Sequence, residues 1–301
     1  MGLLTLYCNK MITSFRITRG LIPWLLSSLM FTLSCSEEVA DPWAESFESL
    51  NVINGLAKAG ETLVVFFGSS NDILANSGSN PLSLDYSILT INETLSDTLY
   101  SLDESHYCSS HYLYSSDRIT LKAVTINGDT LTACDTIPEP VKIESANFIS
   151  HAYTSVYGTD YGMAVVEFQD PPEQNNYYEL LFLRGSNYIQ GFKIQNEFIN
   201  IDFENDPNPP NSILFSDAHI NGSAAHLEVF LNTANSPKVI LRSCSRAYYQ
   251  YKKSLHLHLS TQNNSRDDIY DMFSGDPVEL YTNVEGGLGI VASYAEYVYN
   301  L

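Results

Sequence analysis

His256 and His258 flank Leu257. On a strand, where residues two apart share a face, they would offer two imidazoles to a metal ion. On a helix the same rings diverge, and no third ligand lies near them in sequence. Asp202, Glu204 and Asp206 alternate like the opening of a calcium loop, but Pro207 stands where an EF-hand needs glycine and no glutamate follows at the required distance. Gly286-Gly287-Leu288-Gly289 lacks the spacing and the strand–helix setting of a phosphate cradle, and reads instead as a bend where strands cross closely. Neither His-Glu-x-x-His nor Gly-x-Ser-x-Gly occurs. Carboxylates are plentiful, yet no pair can be given acid and base roles without geometry. Tyr177-Tyr178 and Tyr248-Tyr249 are candidate contacts for a ligand or partner, with sheet packing as the rival role of tyrosine. The expectation is therefore a non-enzymatic protein with no catalytic residue, metal ligand or cofactor.

More specific chemistry sits at the start of the chain. Residues 1–34 hold Lys10, Arg16 and Arg19 and no acidic residue, followed by the apolar run Leu21 to Leu33. A basic region, a short apolar region and a small residue before the break describe a secretory signal. The run is too short for the roughly 20 residues that a membrane span needs. Either Met1 or Met11 can serve as the start, because Arg16 and Arg19 alone supply a normal basic region. Leu33-Ser34-Cys35 resembles a bacterial lipobox, in which the cysteine is diacylated and becomes the new N-terminus, although Thr32 stands where leucine is commonest. Acyl carbons at about 0.8 kcal/mol per buried methylene hold such a chain on a bilayer. Cys108, Cys134 and Cys244 remain after processing, and in an oxidising compartment Cys108 and Cys134 are the candidate disulfide pair.

The chain of 301 residues carries 15 basic and 35 acidic side chains, a net charge of −20. Loss of the leader removes basic residues only, so the remainder is more acidic still. Such a field excludes a phosphate-neutralising, nucleic-acid-binding surface. A hydrophobic share of 44% excludes disorder. With 20 Tyr and 14 Phe against 17% charged residues, the composition is that of a β-rich chain.

The elements that must position these residues are mostly strands. Residues 35–50 read as a tether, and residues 41–54 include a short amphipathic stretch. Glu61 to Phe67 and Tyr86 to Asn92 read as strands, and Ile119 to Ala133 as a β-hairpin whose Asn127-Gly128 predicts a type I′ turn. Ile137-Pro138-Glu139-Pro140 breaks the pattern and marks a domain boundary. The fold class expected is mainly β, with an N-terminal immunoglobulin-like β-sandwich over residues 51–140 and a larger β-rich domain with one helix over residues 141–301. Strands in the second part are expected within 163–168, 177–182, 188–194, 198–203, 226–231 and 238–241. The helix is read from Tyr248, Tyr251, Leu255 and Leu259, which follow Ser245 at three- and four-residue steps. Alternation from Leu255 to Leu259 is the competing strand reading.

Several motifs together resemble one family. Asp170-Pro171-Pro172 with Asn176-Tyr177-Tyr178, Phe215-Ser216-Asp217 with Asn221-Gly222, and Asp276-Pro277-Val278-Glu279 with Thr282 to Ile290 are similar, in order, to motifs of the Bacteroidota outer-membrane lipoproteins of domain of unknown function 4249. The hairpin and exit at Leu121 to Pro140 fit as well, whereas Val291-Ala292-Ser293-Tyr294 departs from the family's Phe-Gly-Ala-Tyr. Ser36-Glu37-Glu38 resembles the export signal of surface lipoproteins in that phylum. The resemblance implies an outer-membrane lipoprotein facing the cell exterior, often encoded beside a TonB-dependent receptor. The expected roles are ligand capture or transporter accessory, or a structural subunit of an envelope complex.

Overall fold

The protein is described by a computed structural model that covers residues 49–70, 80–172, 175–189, 192–195, 201–202, 211–233, 235–262 and 278–301. The leader, Cys35 and the Ser36-Glu37-Glu38 signal lie outside these residues, as do Glu204 and Asp206. The fold is mainly β with one helix among the described residues.

Runs of β-branched and aromatic residues drive three sheets. The largest has 11 strands. Its N-terminal part is β1 (Asn51–Lys58), β2 (Thr62–Ser69), β3 (Asn80–Pro81), β6 (Tyr100–Ser101) and β7 (His106–Tyr112). Its C-terminal part is β12 (Tyr177–Arg184), β13 (Asn187–Tyr188), β15 (Ile201–Asp202), β16 (Ile213–Ser216) and β18 (Lys238–Cys244). The last strand, β19 (Leu288–Asn300), lies between these parts, parallel to β1 and antiparallel to β18. A four-stranded sheet holds β4 (Leu84–Ile91), β5 (Leu95–Thr98), β8 (Arg118–Thr125) and β9 (Thr130–Thr136). A second holds β10 (Ile143–Thr154), β11 (Asp160–Gln169), β14 (Phe192–Gln195) and β17 (Ala224–Leu231).

Two apolar cores lie between the large sheet and the small ones. The first joins Ile53, Val65 and Phe67 to Leu89, Leu121 and Leu131, and the second joins Phe182, Phe215 and Leu241 to Val166, Phe168 and Val229. Residues two apart on a strand share a face. Val291 of β19 packs in the first core, while Tyr297 and Tyr299 pack against the second. Both cores therefore line the same face of the large sheet. Ile137 belongs to the first core and Val141 to the second, and the large sheet runs across this point of the chain. Residues 51–54, the end of the stretch read as amphipathic in sequence, belong to β1.

The helix α1 (Arg246–Gln262) covers the opposite face of that sheet. Ser245 caps it as expected, its Oγ accepting the Tyr248 N–H at 3.1 Å. Along the apolar stripe Tyr248 is buried, Tyr251 and Leu255 are half-buried and Leu259 is 46% exposed, so the helix leaves the body toward its C-terminal end. The hairpin of β8 and β9 forms where expected, with a different turn. Gly128 takes a φ of 91° and Asn127 does not have a positive φ. A type I′ turn needs both, so this is the longer loop in which glycine alone is left-handed, closed by Gly128 N–H to the Thr125 carbonyl at 2.9 Å.

Candidate functional site

Lone charges inside apolar strands build the most unusual part of the molecule. Glu179 interrupts Tyr178-Glu179-Leu180-Leu181 on β12, and Arg242 interrupts Ile240-Leu241-Arg242-Ser243 on β18. Register places Glu179 opposite Arg242, and Arg242 opposite Glu296 of β19. A carboxylate, a guanidinium and a carboxylate thus stand in a row across three strands. Arg242 bonds Glu179 through Nη1 and Glu296 through Nε, both at 2.8 Å. Lys58 of β1 extends the row by pairing with Glu296 at 3.0 Å and Glu61 at 2.7 Å.

The helix closes this row from above. Tyr248 donates its hydroxyl to Glu179 at 2.7 Å, and Lys252 approaches the same carboxylate at 3.3 Å. Ser212 donates from the other side at 2.6 Å, and the Arg242 guanidinium lies 4.7 Å from the Tyr294 ring centre. Glu179 is 1% exposed, with Glu296 at 12% and Arg242 at 13%. Burial would push the Glu179 carboxyl up, but Lys252 and Arg242 outweigh it and hold the group below the usual glutamate range. Glu296 is likewise held low by Lys58 and Arg242 against the effect of burial. The network keeps its carboxylates ionised and fully engaged, which suits bracing of three strands and the helix.

A second cluster gathers two of the motifs on which the family resemblance rests. Asp170 follows β11 and is fully buried, and it accepts from the Tyr178 hydroxyl at 2.5 Å and the Gly222 N–H at 2.9 Å. Asn176 donates its side chain to Asp170 at 3.4 Å and its N–H to Asp217 at 2.8 Å. Asp217 in turn donates its N–H to the Asn176 carbonyl at 3.0 Å. Gly222 turns with a φ of 71°, which lets it come close to Pro172. The Asp-Pro-Pro and Asn-Tyr-Tyr motif and the Ser-Asp and Asn-Gly motif are therefore two halves of one knot, tying the ends of β11 and β16 to the starts of β12 and β17. Burial raises the Asp217 carboxyl above its ordinary range, with the nearby Asp170 adding repulsion.

The tyrosines singled out in sequence turn inward. Tyr178, Tyr248 and Tyr249 are buried, and half-buried Tyr177 stacks on Tyr249 with ring centres 4.6 Å apart. Burial places the rings of Tyr178, Tyr248 and Tyr249 in the packing of the body. Exposed aromatic surface lies elsewhere, at the arm formed by the β10–β11 hairpin. Val156 and Tyr157 at its tip are 90% and 93% exposed, and Tyr153 beside them is half exposed. A bulge sets the arm off from its sheet, with Ile149 opposite Met163 but Tyr153 already opposite Tyr161. In sequence the arm runs in pairs, Phe148-Ile149, Ser150-His151, Ala152-Tyr153, Thr154-Ser155 and Val156-Tyr157, which is neither strand nor helix periodicity and so conceals it.

Cys108, Cys134 and Cys244 are free thiols. Cys108 is buried on β7 of the large sheet and Cys134 is exposed on β9 of a small one, so the disulfide suggested by the sequence does not form. His256 and His258 lie on the helix, where the metal pair of the strand reading dissolves, and His258 Nδ1 bonds the Val278 carbonyl at 2.9 Å. Among the described residues no group of three or more metal-ligating side chains converges. No described helix is long and apolar enough to cross a membrane. The glycine run does form the expected close crossing. A Cβ on Gly287 would lie 2.5 Å from the Asn51 carbonyl oxygen, and one on Gly289 would lie 1.9 Å from that of Ile53.

These features define a class, a mainly β protein with two small sheets on one face of a large sheet and a helix on the other, braced by buried carboxylates. The chain belongs to the family described as domain of unknown function DUF4249, whose model matches residues 37–299. No curated protein matches it. Among solved structures it is similar to a DUF4785 family protein from Legionella pneumophila, at 12% identity and a TM-score of 0.23, over 65% of this chain and 53% of that one. The chain thus spans about half the length of that protein.

Proposed function

We propose that this protein is an acylated outer-membrane lipoprotein that faces the cell exterior. There it serves a TonB-dependent transporter as a non-enzymatic module that captures or hands over ligand. The observation that carries this reading is Leu33-Ser34-Cys35 at the end of a basic, then apolar, leader, followed by Ser36-Glu37-Glu38. Membership of a family whose other members the motifs resemble supports it, as does a braced β body suited to presenting loops on a fixed frame. Labelling cells with an alkyne palmitate tests it. Wild-type protein takes up label and fractionates with the outer membrane, and Cys35→Ser does neither. Unlabelled wild-type protein recovered in the soluble fraction would overturn the reading.

A second reading, a structural subunit of an envelope complex, is favoured by the arm, since a valine and a tyrosine held in water at the tip of a hairpin suit a protein contact. A photo-crosslinker at Tyr157 separates the two. Crosslinks to a transporter support the first reading, and crosslinks to other envelope proteins support the second.

A further inference from the structure

We infer that the last strand is a folding lock: neither half of the body closes until residues 283–300 arrive. β19 is the only strand of the described residues that pairs with both parts of the large sheet. Without it, β1 and β18 both become open edges, and β1 must wait for a partner far along the sequence, since Val52 pairs with Leu288.

The dependence extends past the strand ladder. The first apolar core lacks two of its buried members, Val284 and Val291, until this segment is in place. Asn283 clamps Val291 through both backbone groups, at 2.7 and 2.9 Å, and bonds the Cys134 carbonyl at 3.2 Å. Ser293 donates to Asp135 at 2.7 Å, and Glu285 exchanges backbone bonds with Thr132 of β9. The segment therefore joins both sheets of the first sandwich to each other. Further along the same face of β19, Tyr297 and Tyr299 pack on the second core. Glu296 holds Lys58 from one half and Arg242 from the other, so the two halves share one carboxylate as well as one strand.

A chain built this way stays open until residues 283–300 are available to pair with β1 and β18. Long-range pairing of this kind also makes folding slow. The inference stands whether or not Cys35 is acylated. It is tested on the full-length protein by pulsed hydrogen–deuterium exchange during refolding, read by mass spectrometry of peptides. Peptides from β1, β8, β18 and β19 are expected to gain protection in a single phase. Protection of β1 and β8 about tenfold or more ahead of β19 would overturn the inference. A second readout uses Val291→Ala, a mild cavity that leaves the strand in place. It is expected to speed native-state exchange in β8 and β18 by a similar factor, although Val291 packs only in the first core. Faster exchange confined to the first sandwich would overturn the inference too.

Discussion

Glu179→Gln removes one charge from the β12 end of the ion-pair row and changes the side-chain volume very little. The wild-type carboxylate is 1% exposed and receives Arg242, Tyr248, Ser212 and Lys252 at 2.6 to 3.3 Å. Removing one partner of a buried pair typically costs about 3–5 kcal/mol, because the other charge is left desolvated. Arg242 retains Glu296, and the amide oxygen still accepts one or two bonds, so the expected loss lies near the lower end, about 3 kcal/mol. Against a total stability of about 5–15 kcal/mol, that is a large fraction. Urea unfolding followed by circular dichroism measures it, with the midpoint falling and the slope unchanged. Replacing both partners, Glu179→Met with Arg242→Met, should cost less than the two single changes together, since an apolar pair leaves neither charge stranded. A loss below about 1 kcal/mol for Glu179→Gln would refute the reasoning by showing that the row contributes little. The pH dependence follows with its own sign. Glu179 and Glu296 are both held low in the folded state, so their stabilisation is complete above the usual glutamate range and drains as pH falls through their lowered values. Glu179→Gln should therefore flatten the acid arm of the stability curve.

Asp135 and Asp217 have the opposite sign: burial raises both carboxyls, so their contribution is present at acid pH and lost as pH rises through the folded-state values. Asp135→Asn should thus leave stability at neutral pH unchanged or higher, as thermal unfolding at two pH values will show. Gly128→Ala should cost about 1–2 kcal/mol, the penalty of a left-handed backbone with open space around it. Gly289→Ala should cost more than twice as much, because its methyl would meet the Ile53 carbonyl oxygen at 1.9 Å; equal urea midpoints for the two would contradict this. Tyr178→Phe removes a buried bond to a carboxylate and should cost about 1.5–3 kcal/mol, whereas Tyr157→Ser at the arm tip should stay within about 0.5 kcal/mol.

Local signals carried well from sequence to structure. Asn127-Gly128 marked the hairpin because glycine alone accepts that φ cheaply, and Ser245 with the tyrosine stripe marked the helix because cap and period agree. The turn type was less legible, since a two-residue and a three-residue loop share the same dipeptide. The pairing of β1 with β19 was not legible at all, because nothing within either segment names a partner so distant along the chain. Residues 291–299 are buried on both faces in part, so they lack the clean alternation that marks a half-solvated strand. The ion-pair row did leave a trace. A single charge inside a strand run that is otherwise apolar must find a partner, and Glu179 meets that description, whereas Arg242 has Val239-Ile240-Leu241 before it but Ser243 after it. The tyrosine pairs leave contact and packing both open in sequence, because residue type does not say which face of a strand or helix is covered.

Affinity purification of the full-length protein from detergent-solubilised outer membranes, with mass spectrometry of intact subunits, tests the transporter role most directly. The expected result is a protein carrying acyl mass on Cys35 and a TonB-dependent transporter recovered with it in fixed ratio, lost when Cys35 is replaced by serine. An unmodified Cys35, or an acylated chain recovered with no transporter, would contradict it.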